Sequence, residues 1–218
     1  MQFPFTVGEF LNVFKSYNEK IFPVQILFYF IAFYCIYLIF KRNKNVNKII
    51  SIVLSFFWIW IGIVYQLIYF SSINSAAYAF GVLFLVQGSL FAYYGILKGS
   101  LSFSYERNAL NIIGIIFLLY ALIVYPVLNY LLGHPYPYAP TFGLPCPTTI
   151  FTFGILLFSD KKISVILLII PLIWSIIGFG AALNLSIYED FGLIISGLSG
   201  FILLLFFNKK FSAAREIL

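Results

Sequence analysis

Charge is what this sequence has least of. Asp, Glu, Lys and Arg make up only 9% of its 218 residues, and it contains one His, one Met and two Cys. A soluble domain of this length carries about 25% charged residues to keep its surface wetted, so a water-solvated globule is excluded. The two cysteines stand in different contexts, Cys35 within an apolar run and Cys146 in a proline-rich stretch, which excludes a disulfide framework. No His-Glu-x-x-His, Cys-x-x-Cys or phosphate-binding loop ending in Lys occurs, so the common metalloprotease, redox and nucleotide motifs are missing. The net charge of +6 is not interleaved with aromatics in a polar segment, and a nucleic-acid partner is not expected.

What is present is apolar surface. Hydrophobic residues reach 62%, with 27 Phe and 16 Tyr. No single core could bury that much, and the lipid bilayer is the expected partner. Apolar runs fall at about 21–40, 49–70, 76–97, 110–132, 148–158, 163–185 and 191–207. Most approach the ~20 residues that a spanning helix needs. These features predict an all-α, polytopic transmembrane bundle of about seven spans whose fifth segment is short or discontinuous.

The basic residues sort by alternate connections. Lys41, Arg42, Lys44 and Lys48 follow the first run, Lys98 and Arg107 the third, Lys161 and Lys162 the fifth, and Lys209, Lys210 and Arg215 the last. Eleven of the 13 positive charges thus lie on one side, which the positive-inside rule makes cytoplasmic. The N-terminus is then outside and the C-terminus cytoplasmic. Three parts follow: residues 1–20 as an amphipathic helix on the outer surface, 21–207 as the bundle, and 208–218 as a cytoplasmic tail. The first run is too long, and too directly followed by Lys41-Arg42, to be a cleaved signal peptide.

Before the first span, Thr6 and Glu9 form a capping box, and Phe10, Phe14, Tyr17 and Ile21 follow at helical spacing. This helix is read either as an interfacial lead-in or as a lid. Ala77, Gly81, Gly88, Ala92, Gly95 and Gly99 form a small-residue stripe, repeated by Gly192, Ser196 and Gly200, on which neighbouring backbones can approach. Pro126 and Pro171 each free a carbonyl inside a span, which neighbours or water must satisfy.

The stretch from Gly133 to Thr149 holds five of the nine prolines. It is expected to be stiff, non-helical and rich in unpaired carbonyls. The spacing places Cys146 at a helix cap and Pro147 at the first helical position, with the N–H groups of Thr148 and Thr149 free to attract an anion or a thiolate. From Thr148 to Phe158 is roughly 16 Å of helix, about half the hydrocarbon thickness. Such a segment reads either as a binding site or as a plug. Amides gather toward the outer half: Gln25, Gln66, Asn129 and Asn184 near outer span ends, with Gln87 near mid-membrane. With His134, Cys146, Thr148 and Thr149 they outline an outward-opening ligand site, with Trp58, Tyr65 and Trp174 as walls. His134 and Cys146 are weak soft-metal candidates; no cofactor is expected.

Two known chemistries fail on required residues. Gly197-Leu198-Ser199-Gly200 matches the nucleophile pattern of rhomboid proteases, but no His follows it. Seven helices with an outside N-terminus fit rhodopsins, but the last span has no Lys for retinal. No nucleophile-and-base pair stands out, so an enzyme is the least favoured class.

Gly-His-Pro-Tyr-Pro at 133–137, Ala-Pro-Thr-Phe-Gly at 139–143 and Pro-Cys-Pro-Thr-Thr-Ile-Phe-Thr-Phe-Gly at 145–154 resemble the signature of a family of bacterial integral membrane proteins of unknown function. Tyr17-Asn18-Glu19 leading into Pro23-Val24-Gln25 is similar to that family's opening. The resemblance implies a bacterial inner-membrane protein of this architecture and carries no activity. Two readings stay open: a small transporter or channel with an outward-facing site for a small ligand or ion, in which a homo-oligomer is one form, or a non-transporting sensory or ligand- or lipid-binding membrane protein.

Overall fold

The computed structural model describes residues 4–41 and 45–216, so the charges expected at Arg42 and Lys44 fall outside the described residues, as do the side chains of Lys210 and Arg215 and the last two residues of the tail. The described chain is helical throughout. Helix α1 spans Val7–Ile21 and α2 Val24–Lys41, with an elbow at Phe22 and Pro23 between them. Helix α3 (Val46–Trp60) continues through a π-helical stretch, Ile61–Tyr69, into a tight last turn, Phe70–Ser72. Helix α4 (Ala77–Phe91) ends in a second π stretch, Ala92–Leu97. Helix α5 (Ala109–Leu119) passes through a third, Tyr120–Val124, into α6 (Tyr125–Leu131). Then come α7 (Pro145–Leu156), α8 (Ile166–Leu185), a short turn at Tyr188–Asp190 and α9 (Phe191–Glu216).

Among the described residues, six helical segments are long and apolar enough to cross a membrane: 24–41, 46–72, 77–97, 109–131, 166–185 and 188–209. The chain is therefore built as a multi-pass helical membrane protein. Its outward surface is apolar, as at Phe30, Tyr37, Leu97 and Phe206, which suits lipid as solvent.

Helix α7 is the axis. With 12 residues it is about 18 Å long, and every residue from Thr148 to Phe158 is buried. It runs from the bundle end that carries α1 to the opposite end, where Ser104 N–H donates to Phe158 O at 3.0 Å and Asp160 N–H to Ser102 O at 3.2 Å. Helices α3, α5, α8 and α9 pack around it. Trp58 Nε1 donates to Thr152 Oγ1 at 3.0 Å, and Asn111 Nδ2 to Leu157 O at 2.9 Å. Glycines make the approach close: a Cβ at Gly154 would meet Leu118, one at Gly200 the Phe153 ring, and one at Gly114 the Phe158 ring. The stripe on α4 does the same against α3, where Gly88 faces Ile59 and Gly95 faces Ser51.

The in-span prolines are resolved in two ways. Pro171 lies inside an unbroken α8, and the carbonyl it frees, Leu167 O, accepts the Gln87 Nε2 amide at 2.9 Å. Pro126 follows the π stretch 120–124, a local widening of the helix.

The start of α7 corrects the sequence reading. The helix begins at Pro145, not Pro147, and Leu144 occupies the cap. Thr148 N–H donates to Leu144 O at 3.2 Å, so it is not free. Pro145 and Pro147 have no N–H to offer. The first turn therefore retains one free backbone donor, at Cys146, and is a poor anion site.

Candidate functional site at the α1 end of the bundle

Helix α1 begins with the expected box: Thr6 Oγ1 accepts from Glu9 N–H at 3.2 Å, and the Glu9 carboxylate accepts from Thr6 N–H at 2.7 Å. Those bonds hold Glu9 below the usual carboxylate range. The apolar face, Phe10, Phe14 and Tyr17, turns onto α3 at Tyr65 and Phe70, with ring centroids 5.7–6.0 Å apart across that seam.

The polar face of α1 serves the proline-rich loop. Asn18 Nδ2 donates to Pro137 O at 2.7 Å and to Ala139 O at 2.8 Å, while its Oδ1 accepts from Thr141 Oγ1 at 2.8 Å. Tyr17 OH donates to Gly143 O at 3.2 Å and accepts from Trp60 Nε1 at 2.9 Å; burial pushes its phenol well above the ordinary tyrosine value. Asn129 Nδ2 donates to Pro140 O at 3.0 Å. The loop is non-helical, as expected, but its carbonyls are paired with side chains rather than left open. Gly143 takes φ +98° with the Phe28 ring against it, a place only glycine fills without strain.

Beneath α1 lies a partly enclosed cavity of about 90 Å3, lined mainly by aromatic and aliphatic groups from α1, α3, α4, α8 and the start of α7. Among its lining residues Phe10, Asn74, Phe80, Ile177 and Ala181 retain surface. Cys146, deeper in the lining, is half-exposed as well, and α1 roofs the whole.

The polar groups of the cavity sit at one end. Asp190, 6% exposed, accepts from Tyr125 OH at 2.5 Å and lies near the Cys146 thiol. It stands at the start of α9, where the helix dipole favours negative charge. Trp174, 8% exposed, has its ring edge-on to Phe84 at 5.0 Å. Its indole N–H lies beside the Cys146 sulfur without hydrogen-bond geometry, and has no other partner. Next to this cluster Glu189, fully buried, meets His134 Nδ1 at 3.2 Å through Oε1, while Oε2 has no partner.

Of the nine residues that outlined a site in the sequence, Cys146 lines the cavity, while Asn184 is exposed outside it and donates to Gly180 O at 2.7 Å. Gln25 ties α2 to α1 through Asn18 O at 2.7 Å. Gln87 and Asn129 serve the carbonyls already described. Thr149 Oγ1 donates to Pro145 O at 2.8 Å, and Thr148 Oγ1 accepts from Gly143 N–H at 3.3 Å. Gln66 is fully buried with both amide atoms unpartnered, outside the cavity lining. His134 flanks the cluster through Glu189. Tyr65 and Trp174 are walls; Trp58 instead joins α3 to α7. Among the described residues no three His, Cys, Asp or Glu side chains gather closely enough to hold a metal ion.

Asp190, Glu189 and Tyr125 were not singled out by sequence. The available signal was position: among only seven acidic residues, two adjoin the start of an apolar run, where a helix N-terminus accepts them without a basic partner.

No curated protein and no solved structure matched the chain. A family model matched residues 7–216, taking in both α1 and the loop that it pins. By that match the chain belongs to DUF6064, a family of unknown function.

Proposed function

We propose that this is a seven-pass protein of a bacterial cytoplasmic membrane, with α1 outside, that holds a membrane-borne apolar ligand in the cavity under α1 and does not carry it across. The observation that carries this reading is a partly enclosed, mainly apolar cavity that holds buried polar groups above a close-packed axis, with half-exposed lining residues on the lipid-facing helices α4 and α8, between which we take its mouth to lie. Seven passes follow from counting α7 with the six longer spans. The orientation rests on the positive charges at the ends of α2, α4, α7 and α9.

An apolar lining with a few convergent polar groups is the usual form of a small-ligand site. A mouth toward lipid suits a ligand already dissolved in the outer leaflet. Below it, Phe151, Phe153, Ile155 and Leu156 of α7 are fully buried among their neighbours. This favours binding over transport. The binding test uses protein with Cys35→Ser in lipid nanodiscs, following maleimide labelling of Cys146 with dodecane added. Dodecane should slow labelling, and Ala182→Trp, which fills the cavity, should abolish that effect. The same dodecane series in sealed proteoliposomes bearing a radiolabelled tracer should give no protein-dependent flux; uptake that depends on Gln66 or Thr148 would restore the transport reading.

A further inference from the structure

Resting on that binding reading, the geometry points to the ligand's chemical class: an apolar alcohol, whose hydroxyl donates to Asp190 and accepts from Trp174. The cavity offers two buried polar groups with opposite needs. The indole N–H is a donor only, is more than nine-tenths buried, and finds no acceptor. Its nearest polar neighbour is the Cys146 sulfur, a weak acceptor that an oxygen would displace. The Asp190 side chain, part of the cavity lining, accepts a hydrogen bond from Tyr125, and a carboxyl group has acceptor sites beyond that one.

Gly178 lets Leu193 pack close, since a Cβ there would meet Leu193 Cδ2 at 2.6 Å, and that Cβ would stand 3.7 Å from both Cys146 Sγ and Trp174 Nε1, so the sulfur and the indole nitrogen lie side by side in the lining that Asp190 shares. A hydroxyl brings one donor and two acceptor lone pairs in the smallest volume, and meets both demands at once. An ammonium brings donors alone and leaves the indole N–H unanswered. A carboxylate or phosphate brings acceptors alone and offers the Asp190 oxygens no donor. An ether accepts but does not donate, and an alkane does neither. The remaining lining is mainly apolar, with Asn74 and Tyr65 as its other polar residues, and a cavity of about 90 Å3 takes the head and first carbons of such a molecule while its chain extends out toward lipid.

The test compares probes of one chain length in the full protein carrying Cys35→Ser, in nanodiscs, read as protection of Cys146 from maleimide at matched membrane mole fraction. The probes are dodecan-1-ol, dodecyl methyl ether, dodecane, dodecylamine and dodecanoic acid. The alcohol should half-protect at about 10- to 100-fold lower mole fraction than the ether or alkane, the range two hydrogen bonds support. Trp174→Phe should cut the preference for alcohol over alkane by about tenfold, with alkane protection kept. Equal protection by alcohol, ether and alkane would overturn the hydroxyl assignment while leaving the binding reading intact, and the greatest potency in the amine or the acid would overturn it too. Failure of all five probes would sink the binding reading itself. Because the probe series is run on unsubstituted cavity residues, the outcome does not depend on a variant folding.

Discussion

Replacing Asn18 by Ala removes the side chain that holds the proline-rich loop against α1. Three hydrogen bonds go with it, at 2.7, 2.8 and 2.8 Å, and one of the carbonyls left behind, on Ala139, belongs to a residue only 5% exposed. At about 0.5–1.5 kcal/mol net for each bond, docking of the loop should weaken by about 2–4 kcal/mol. The spans do not depend on this side chain, so the loss is local. Opening of the loop should become roughly 30- to 900-fold more frequent, at about 1.4 kcal/mol per decade. Hydrogen exchange reads this directly at the amides of His134, Tyr138 and Gly143, which donate to Asn129 O, Pro135 O and Thr148 Oγ1. Asn18→Asp should be worse than Ala, because it sets a carboxylate against two carbonyl oxygens. Unchanged protection at those three amides in a folded Asn18→Ala protein would refute the claim that Asn18 pins the loop.

Gln87→Leu should destabilise the bundle by about 1–3 kcal/mol by orphaning Leu167 O, and adding Pro171→Ala should recover most of it by restoring the backbone donor; a thermal-unfolding double-mutant cycle in detergent checks both. Gly192→Ala should cost about 1–3 kcal/mol, since the added Cβ meets the Tyr120 ring, whose hydroxyl is fixed to Glu189 O at 2.7 Å; partial recovery with Tyr120→Ala in the same unfolding assay supports the clash. Deleting the roof as far as Ser16 should speed maleimide labelling of Cys146 in a Cys35→Ser background, whereas an unchanged rate would deny α1 its covering role. Glu9 has a lowered folded-state pKa, so its capping contribution is fully present above the usual glutamate range and is lost as pH falls through the lowered value; Glu9→Gln should flatten that acid dependence of amide exchange in the first turn of α1.

The sequence made the bundle legible because its cues are local. Six of the seven apolar runs reappear as membrane-length helices, with the first starting at Val24 rather than Ile21 because the chain turns at Phe22 and Pro23. The Thr6 and Glu9 box needs only a four-residue window, and it forms as read. The cavity was harder because its parts are distant in sequence. Asn18 and Pro137 are 119 positions apart, and Tyr125 and Asp190 are 65 apart. Span prediction also hides Asp190: an acidic pair beside a run reads as a wetted loop, whereas tertiary packing buries it under Tyr125. The same packing spends the amides on helix carbonyls, as with Gln87 and Leu167 O, so polar residues at depth marked the joints of the bundle more than its ligand site.

The dependence of α7 on its neighbours also orders the birth of the protein. Its backbone ends are closed by Asn111 at Leu157 O and by the loop that Asn18 binds, and the connection after it is fixed by Asn208 of α9, which both donates to and accepts from Ile163. A helix of about 18 Å cannot by itself bring both ends to water across ~30 Å of hydrocarbon. Helix α7 thus has no stable resting place in lipid when it first leaves the ribosome. Its burial is complete only once α9 has been synthesised and packs against it, which makes the last helix the step that completes assembly.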